Sequence, residues 1–481
     1  MEKSYINFNI FRKLEFIRFI VRSKKDKDAL THLLEKFWYF SKIETTKEKN
    51  FHGLIKQLSK NLPIFLFLSK KDKEIFEFNK LKKYLIENNL NNVYIIEINK
   101  SKLRNERLNV LFNKIQFAFK SFSNRFDVKS FKFSPFSVSY EDVFLPSLFY
   151  LHILSSRFNL SNTDLAKNFI GLKEKDQIFF YSYLKFNSES FSKNLNHDFF
   201  MKIDLSDMNN FKQFNFNFLS DFNNLFNDFE NDFKASYHDF MKNVIRKHPI
   251  FENKHNLIFL EFLINHSKNF VFQVLKFYEP DYVVIPFSGG KDSLGALLLI
   301  LDVIKDIITP NTRFDEYIFK NKKFIPKIVP IYIKTTYEFK ELEDYVNFIE
   351  RSLNIPIIKS FIDFSSLTYD DFKNRVCTQM KIRALYDEIN KLNGKILVVV
   401  GNRAGESFNR RKRGWLWQDQ WLFVAPLFLW NYLTLQYFVY VKHNLYFNPL
   451  YDFGLYRTGC WNCPFVSEFE KQIIKSLGYS T

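Results

Sequence analysis

Residues 282–293 read YVVIPFSGGKDS, an apolar run passing directly into Ser288-Gly289-Gly290-Lys291-Asp292-Ser293, and residues 294–304 continue as LGALLLILDVI. The first run predicts a buried strand and the last stretch a helix. Between them, two adjacent glycines let the chain turn sharply and approach an anion with no Cβ in the way. The new helix directs unpaired N–H groups and its positive end to the same place. Ser288 and Ser293 add hydroxyl donors and Lys291 adds a charge. A Walker loop would need Gly-x-x-x-x-Gly-Lys-Ser or Thr, which this stretch lacks. An ordinary strand-to-helix turn needs one glycine and no Lys-Asp-Ser pattern. The stretch is therefore read as a seat for a phosphate chain, bound by Ser288, Gly289, Gly290, Lys291 and Ser293, with Lys291, Asp292 and Ser293 nearest the chemistry.

Outward from this loop, short apolar runs alternate with helical patterns: IVPIYIKT at 328–335, ELEDYVNFIERSL at 341–353, IPIIKSF at 355–361, a helix over about 372–392, and KILVVVG at 395–401. Such alternation predicts an α/β fold, a parallel twisted sheet with helices on both faces, whose ligands sit at the carboxyl ends of the strands. Residues 256–278 form a strong amphipathic helix leading into it. Upstream, PIFLFLS at 63–69, Ile75, Phe78, Leu81 and Leu85 at helical spacing, and 93–98 predict strand, helix, strand. The chain of 481 residues exceeds one hydrophobic core. Three parts are expected: a basic α/β region at 1–132, a mostly helical Asn- and Phe-rich region at 133–255, and the α/β domain at 256–481.

Charge follows the same division. The net +18 is nearly all N-terminal, since residues 1–132 hold 29 Lys and Arg against 14 Asp and Glu. A surplus of that size suits polyanions, so RNA or DNA is the partner considered for residues 1–132, beside a plain solvated surface. Glycine and cysteine are biased the other way: ten of 12 Gly and all of Cys377, Cys460 and Cys463 follow residue 280. Three cysteines are too few for a disulfide framework and fit a reducing compartment, so a cytoplasmic protein is expected. The apolar stretch 422–441 contains Pro426, Asn431, Thr434 and Gln436, and reads as a buried strand, a turn and a helix rather than a membrane span. The 61 Phe reflect AT-rich coding and are given no function.

SGGKDS after a strand resembles the PP-loop of the superfamily of ATP pyrophosphatases and phosphoadenosine phosphosulfate (PAPS) reductases, a HUP-like fold. The strand ending Lys334-Thr335-Thr336 is similar to one that ends Asp-Thr in the family, which implies nucleoside contact at Thr335, with Lys334 a departure. Gly401-Asn402-Arg403-Ala404-Gly405-Glu406-Ser407 with Arg410, and the closing stretch from Asn448 to Phe465 that contains Cys460-Trp461-Asn462-Cys463, resemble the PAPS reductase branch. Pro426, Trp430 and Tyr437 also fall where that branch has them. The resemblance covers roughly 256–467 and implies that Gly401, Arg403, Glu406 and Arg410 join the nucleotide site. Arg403 and Arg410 would be ligands for phosphate or sulfate oxygens. Glu406 would orient Arg403 or hold magnesium.

The resemblance leaves several readings open. The iron–sulfur members pair a late Cys-x-x-Cys with an adjacent Cys-Cys, whereas Val376-Cys377-Thr378 supplies one thiol. Cys377, Cys460 and Cys463 would hold a four-iron cluster with one open iron, or zinc with a fourth ligand such as His443, or no metal. The reaction expected first is ATP-dependent sulfur transfer to a nucleic acid, with Mg2+ offsetting the nucleotide charge and a partner protein donating sulfur. A PAPS or adenylylsulfate reductase served by a reductant protein is the second reading, and a non-catalytic nucleotide-binding subunit the third.

Overall fold

In a computed structural model the described residues are most of 14–123 (36–41 and nearly all of 47–60 excepted), 137–140, 143–146, 251–308 without 252, 325–452, and most of 455–479. The chain is mixed α/β, with two parallel sheets flanked by helices.

The N-terminal sheet is built from β1 (Arg18–Val21), α1 (Lys24–Glu35), β2 (Lys42–Thr45), β3 (Ile64–Leu68), α2 (Lys70–Ile75), α3 (Phe78–Glu87), β4 (Val93–Glu97) and α4 (Leu108–Ser123). Its strands are all parallel in the order β2-β1-β3-β4. All five residues of β3 are buried, and α3 turns Leu81 and Leu85 inward while Lys80, Lys82 and Lys83 face water, matching the strand, helix, strand expectation. Among the described residues of the middle region, β5 (Ser137–Tyr140) and β6 (Val143–Pro146) pair antiparallel. Residues 147–250 lie outside the described residues.

Helix α5 (Lys254–Tyr278) begins where the Asn253 side chain accepts the Asn256 N–H at 3.1 Å, and ends at Glu279, left-handed with φ 47°, before Pro280. Then come β7 (Tyr282–Pro286), α6 (Lys291–Ile308), β8 (Lys327–Thr335), α7 (Lys340–Leu353), β9 (Ile358–Ile362), α8 (Tyr369–Lys373), α9 (Val376–Asn390), β10 (Ile396–Val399), α10 (Phe408–Arg413), β11 (Leu416–Gln418), β12 (Leu422–Val424), α11 (Tyr432–Gln436) and α12 (Pro449–Asp452). Their sheet runs β11-β12-β10-β7-β8-β9, parallel except for β11. From β7 the chain lays β8 and β9 on one side and then crosses to place β10 on the other. The strand order therefore reverses between β7 and β10, which opens a crevice at their carboxyl ends.

The stretch 422–441 is strand, turn and helix as expected, and among the described residues no helix is long and apolar enough to cross a membrane. Trp430 Nε1 donates to Ser267 Oγ at 2.9 Å, Ser267 Oγ donates to the Pro426 carbonyl at 2.7 Å, and Tyr437 OH donates to Glu261 at 2.7 Å. These bonds fasten α5 to that stretch. Phenylalanine also joins the two sheets. The Phe16 ring lies 4.5 Å from Phe270 and 5.0 Å from Trp415, and Phe119 lies 5.5 Å from Phe428 and 6.0 Å from Trp415. Whatever its coding origin, the Phe content supplies the apolar seam between the N-terminal sheet and the C-terminal one.

Candidate nucleotide site

The loop at 288–293 leaves β7 and enters α6 on one side of the crevice; the loop at 400–407 leaves β10 on the other. Glycine makes both approaches possible. Gly289 has φ +67°, and a side chain there would run into Leu342 and Val346 of α7. Gly401 presses against the first turn of α6 so closely that a Cβ would fall on the Asp292 carbonyl group. The two loops are thus in backbone contact, and Arg403 and Asp292, 111 positions apart in sequence, share one site.

Serine hydroxyls shape the turn. The Ser288 N–H donates to Ser293 Oγ at 3.2 Å, and Ser293 Oγ donates to the Gly290 carbonyl at 2.9 Å. The closing stretch roofs the loop: Asn448 Nδ2 donates to the Gly289 carbonyl at 3.4 Å, and the Lys291 N–H donates to Tyr451 OH at 3.3 Å. The Lys291 ammonium lies 4.8 Å from the centre of the Tyr451 ring.

Charge is concentrated behind the loop. Arg403, with 2% of its side chain exposed, places Nε 2.6 Å from Asp292 Oδ1, while Lys291 Nζ lies 3.4 Å from Asp292 Oδ2. Burial by itself would raise the Asp292 pKa, but the Arg403 and Lys291 cations outweigh it and hold the carboxyl at about 2. Burial would lower the Lys291 pKa, but Asp292 and the Tyr451 oxygen carry it above its ordinary value, so it stays a cation. The Arg403 N–H donates to Glu406 Oε2 at 2.8 Å, and Glu406 also pairs with Arg410. Arg403, read from sequence as an anion ligand, serves Asp292 here and anchors the loop. Arg410 sits at the rim on Glu406. Both carboxylates are committed to cations, so magnesium would arrive as part of a nucleotide complex.

On the other side, Thr335 ends β8 with its hydroxyl oxygen 3.3 Å from Cys460 Sγ, and Lys334 pairs instead with Glu343 at 2.7 Å. Glu338, which sequence reading passed over, is buried beneath: its carboxylate accepts Tyr332 OH at 2.6 Å and the Thr335 N–H at 3.3 Å, with Lys381 Nζ 3.5 Å away. Asn448 and Tyr451 belong to the closing stretch, but their contacts with the loop had no local signal in the sequence.

Among the described residues no three His, Cys, Asp or Glu side chains gather as a ligand set. Cys460 pairs by a β-bridge with Glu338 and turns its thiol to Thr335. Burial, with Glu338 and Cys377 nearby, pushes that thiol above its ordinary pKa. His443 lies against Asp302 of α6, its Nε2 3.4 Å from the carboxylate.

Residues 282–466 match the family model for the phosphoadenosine phosphosulfate reductase domain. Two uncharacterised proteins of Methanocaldococcus jannaschii are 27% and 26% identical to this chain over 224 and 228 residues, which is 42% and 44% of this chain and 48% and 42% of theirs. The match thus spans about half the length of those relatives. A probable FAD synthase of Schizosaccharomyces pombe is 22% identical over 207 residues, 42% of this chain and 68% of that protein. Among solved structures, Candida glabrata FMN adenylyltransferase with FAD and pyrophosphate aligns at TM-score 0.30 and 17% identity, covering 42% of this chain and 63% of that one. The PAPS reductase of Candida auris in its phosphate complex aligns at TM-score 0.27 and 18% identity, covering 41% and 94%. The stretch from β7 to the closing Cys-x-x-Cys of this chain is thus similar to the phosphoadenosine phosphosulfate reductase domain.

Proposed function

We propose that this chain is an ATP-dependent sulfur transferase acting on a nucleic acid, in which the loop 288–293 holds the triphosphate. The observation that carries the reading is the close packing of two loops at the crevice, with Gly401 against the first turn of α6 and Lys291 beside the buried Arg403 and its partner Asp292. A phosphate oxygen would take the place of the Tyr451 hydroxyl at the Lys291 N–H. Backbone donors aimed at developing charge stabilise a displacement at phosphorus without reorganising. An acceptor oxygen attacks the α-phosphorus, the bond to the β-phosphate breaks, and pyrophosphate leaves with the electron pair. A hydrosulfide equivalent from a sulfur-donor protein then attacks the atom bearing that oxygen, and AMP leaves. Magnesium would enter with ATP. The basic residues 1–132 would hold the acceptor through its phosphates.

Cys460 beside Thr335 favours a second reading, reduction of a sulfonucleotide. The Cys460 sulfur would attack the sulfonate sulfur, expel adenosine 3′,5′-bisphosphate, and be relieved of sulfite by a second thiol as a disulfide forms. A thiol held protonated is a weak nucleophile, so this reading comes second. One pair of assays separates them. With ATP, hydrosulfide and a mixed RNA and DNA pool, sulfur transfer releases pyrophosphate, and Cys460→Ser retains that release. With PAPS, reduction releases sulfite, and Cys460→Ser abolishes it. If the protein binds ATP yet releases neither product, the third reading, a non-catalytic nucleotide-binding subunit, replaces both.

A further inference from the structure

The two adjacent central strands of the N-terminal sheet end in the same five residues. Ser23-Lys24-Lys25-Asp26-Lys27 follows β1, and Ser69-Lys70-Lys71-Asp72-Lys73 follows β3. The serine and aspartate of each copy are spent on the turn: Ser23 Oγ donates to Asp26 at 2.6 Å and Ser69 Oγ donates to Asp72 at 2.5 Å, each with a return bond from the Asp N–H. Both carboxylates are pulled inward, Asp26 with 4% of its surface exposed and Asp72 with 9%. Asp26 also accepts the Arg104 N–H at 3.1 Å, and Asp72 accepts Arg22 Nε at 3.2 Å.

This geometry explains the Ser and the Asp but not the paired lysines. Because the acids face inward, Lys24, Lys25, Lys70 and Lys71 stand exposed with no ion pair among the described residues. The loop after β4 joins them. The Lys70 N–H donates to the Lys100 carbonyl at 3.2 Å, and Lys100 and Lys102 are exposed and likewise unpaired. The strands are parallel, so all three loops lie on one edge of the sheet, with β1, β3 and β4 successive at about 4.8 Å. Six cations thus share a rim about as wide as three strands. Asp28, in the second turn of α1, is exposed beside it.

We propose that this rim is the seat of the nucleic-acid phosphodiester backbone. The inference rests on the reading that the acceptor is a nucleic acid and adds which surface holds it. Six lysines from three loops offer point charges to successive phosphates without reading bases, so binding should be indifferent to sequence and steep in salt.

The test uses the full chain and a fluorescein-labelled 30-nucleotide RNA of mixed sequence, by anisotropy between 50 and 200 mM KCl. Replacing Lys24, Lys25, Lys70, Lys71, Lys100 and Lys102 with Gln should weaken binding about 10²-fold at 50 mM and flatten the slope of log K against log salt by about 4. Replacing Lys82, Lys83 and Lys391 with Gln should change neither by as much as half. Binding of a non-hydrolysable ATP analogue to the six-lysine variant should be unchanged, which shows that the fold and the nucleotide site survive. The proposal is overturned if the variant keeps the wild-type affinity and slope. It is equally overturned if wild-type protein binds the ATP analogue but no RNA, or if it binds phosphatidylserine vesicles through these lysines and not RNA.

Discussion

Gly401→Val should abolish nucleotide binding and destabilise the C-terminal sheet, because its side chain has to occupy the space of the Asp292 carbonyl. The clash is with backbone at the first turn of α6, so no rotamer change relieves it. Overpacking typically costs about 1–3 kcal/mol and occasionally more, and this case should lie at or above that range. A displacement of about 1 Å at the loop is enough to lose about 10²-fold in activity. Gly459→Ala is the control, since a Cβ at 459 meets nothing within 4 Å, and it should leave both properties intact. Thermal unfolding and equilibrium binding of an ATP analogue check both variants. A folded Gly401→Val protein of wild-type affinity would show that the two loops are not packed as described.

The second large effect concerns the buried pair. Arg403→Met leaves the Asp292 carboxylate with Lys291 as its remaining close cation, and removing one partner of such a pair costs about 3–5 kcal/mol. The double variant Arg403→Met with Asp292→Leu should recover much of that loss, because an apolar pair leaves no charge stranded. The pH dependence has a definite sign. The Asp292 carboxyl is depressed to about 2 in the folded protein, so its contribution is fully present above its unfolded value near 4 and is lost as pH falls toward 2. Between pH 5 and 2, wild-type stability in urea should therefore fall more steeply than that of the double variant. Equal slopes would mean that the pair carries no charge linkage.

These effects bear on how much the sequence discloses. The strand, loop and helix were legible because apolar run, paired glycines and helical pattern are contiguous from Tyr282 to Ile308, and the alternation of runs after them pointed to the parallel sheet. The contact of Arg403 with Asp292 was not legible. Whether an arginine faces a ligand or an aspartate 111 positions away depends on which strands become neighbours, and β10 meets β7 only after a crossover. The surroundings of Cys460 were hidden for a related reason. The Cys-x-x-Cys spacing carries no sign of the β-bridge to Glu338 or of the contact between the Cys460 thiol and Thr335. Local periodicity likewise cannot show that Phe16, Phe119, Trp415 and Phe428 would meet in one seam, since they come from four distant segments.

Everything proposed for this chain depends on the grip of the loop at 288–293 on the phosphate chain of an adenine nucleotide. Isothermal titration of the intact protein with a non-hydrolysable ATP analogue and magnesium, beside Lys291→Ala, measures it directly. Lys291 lies at the surface of the buried charge cluster, and its loss should reduce affinity by about 10-fold or more, the worth of one charge-assisted contact, with the unfolding midpoint little moved. Saturable wild-type binding that weakens in this variant is the predicted result; wild-type protein that gives no heat with ATP or PAPS, or a variant that binds as tightly, would contradict it.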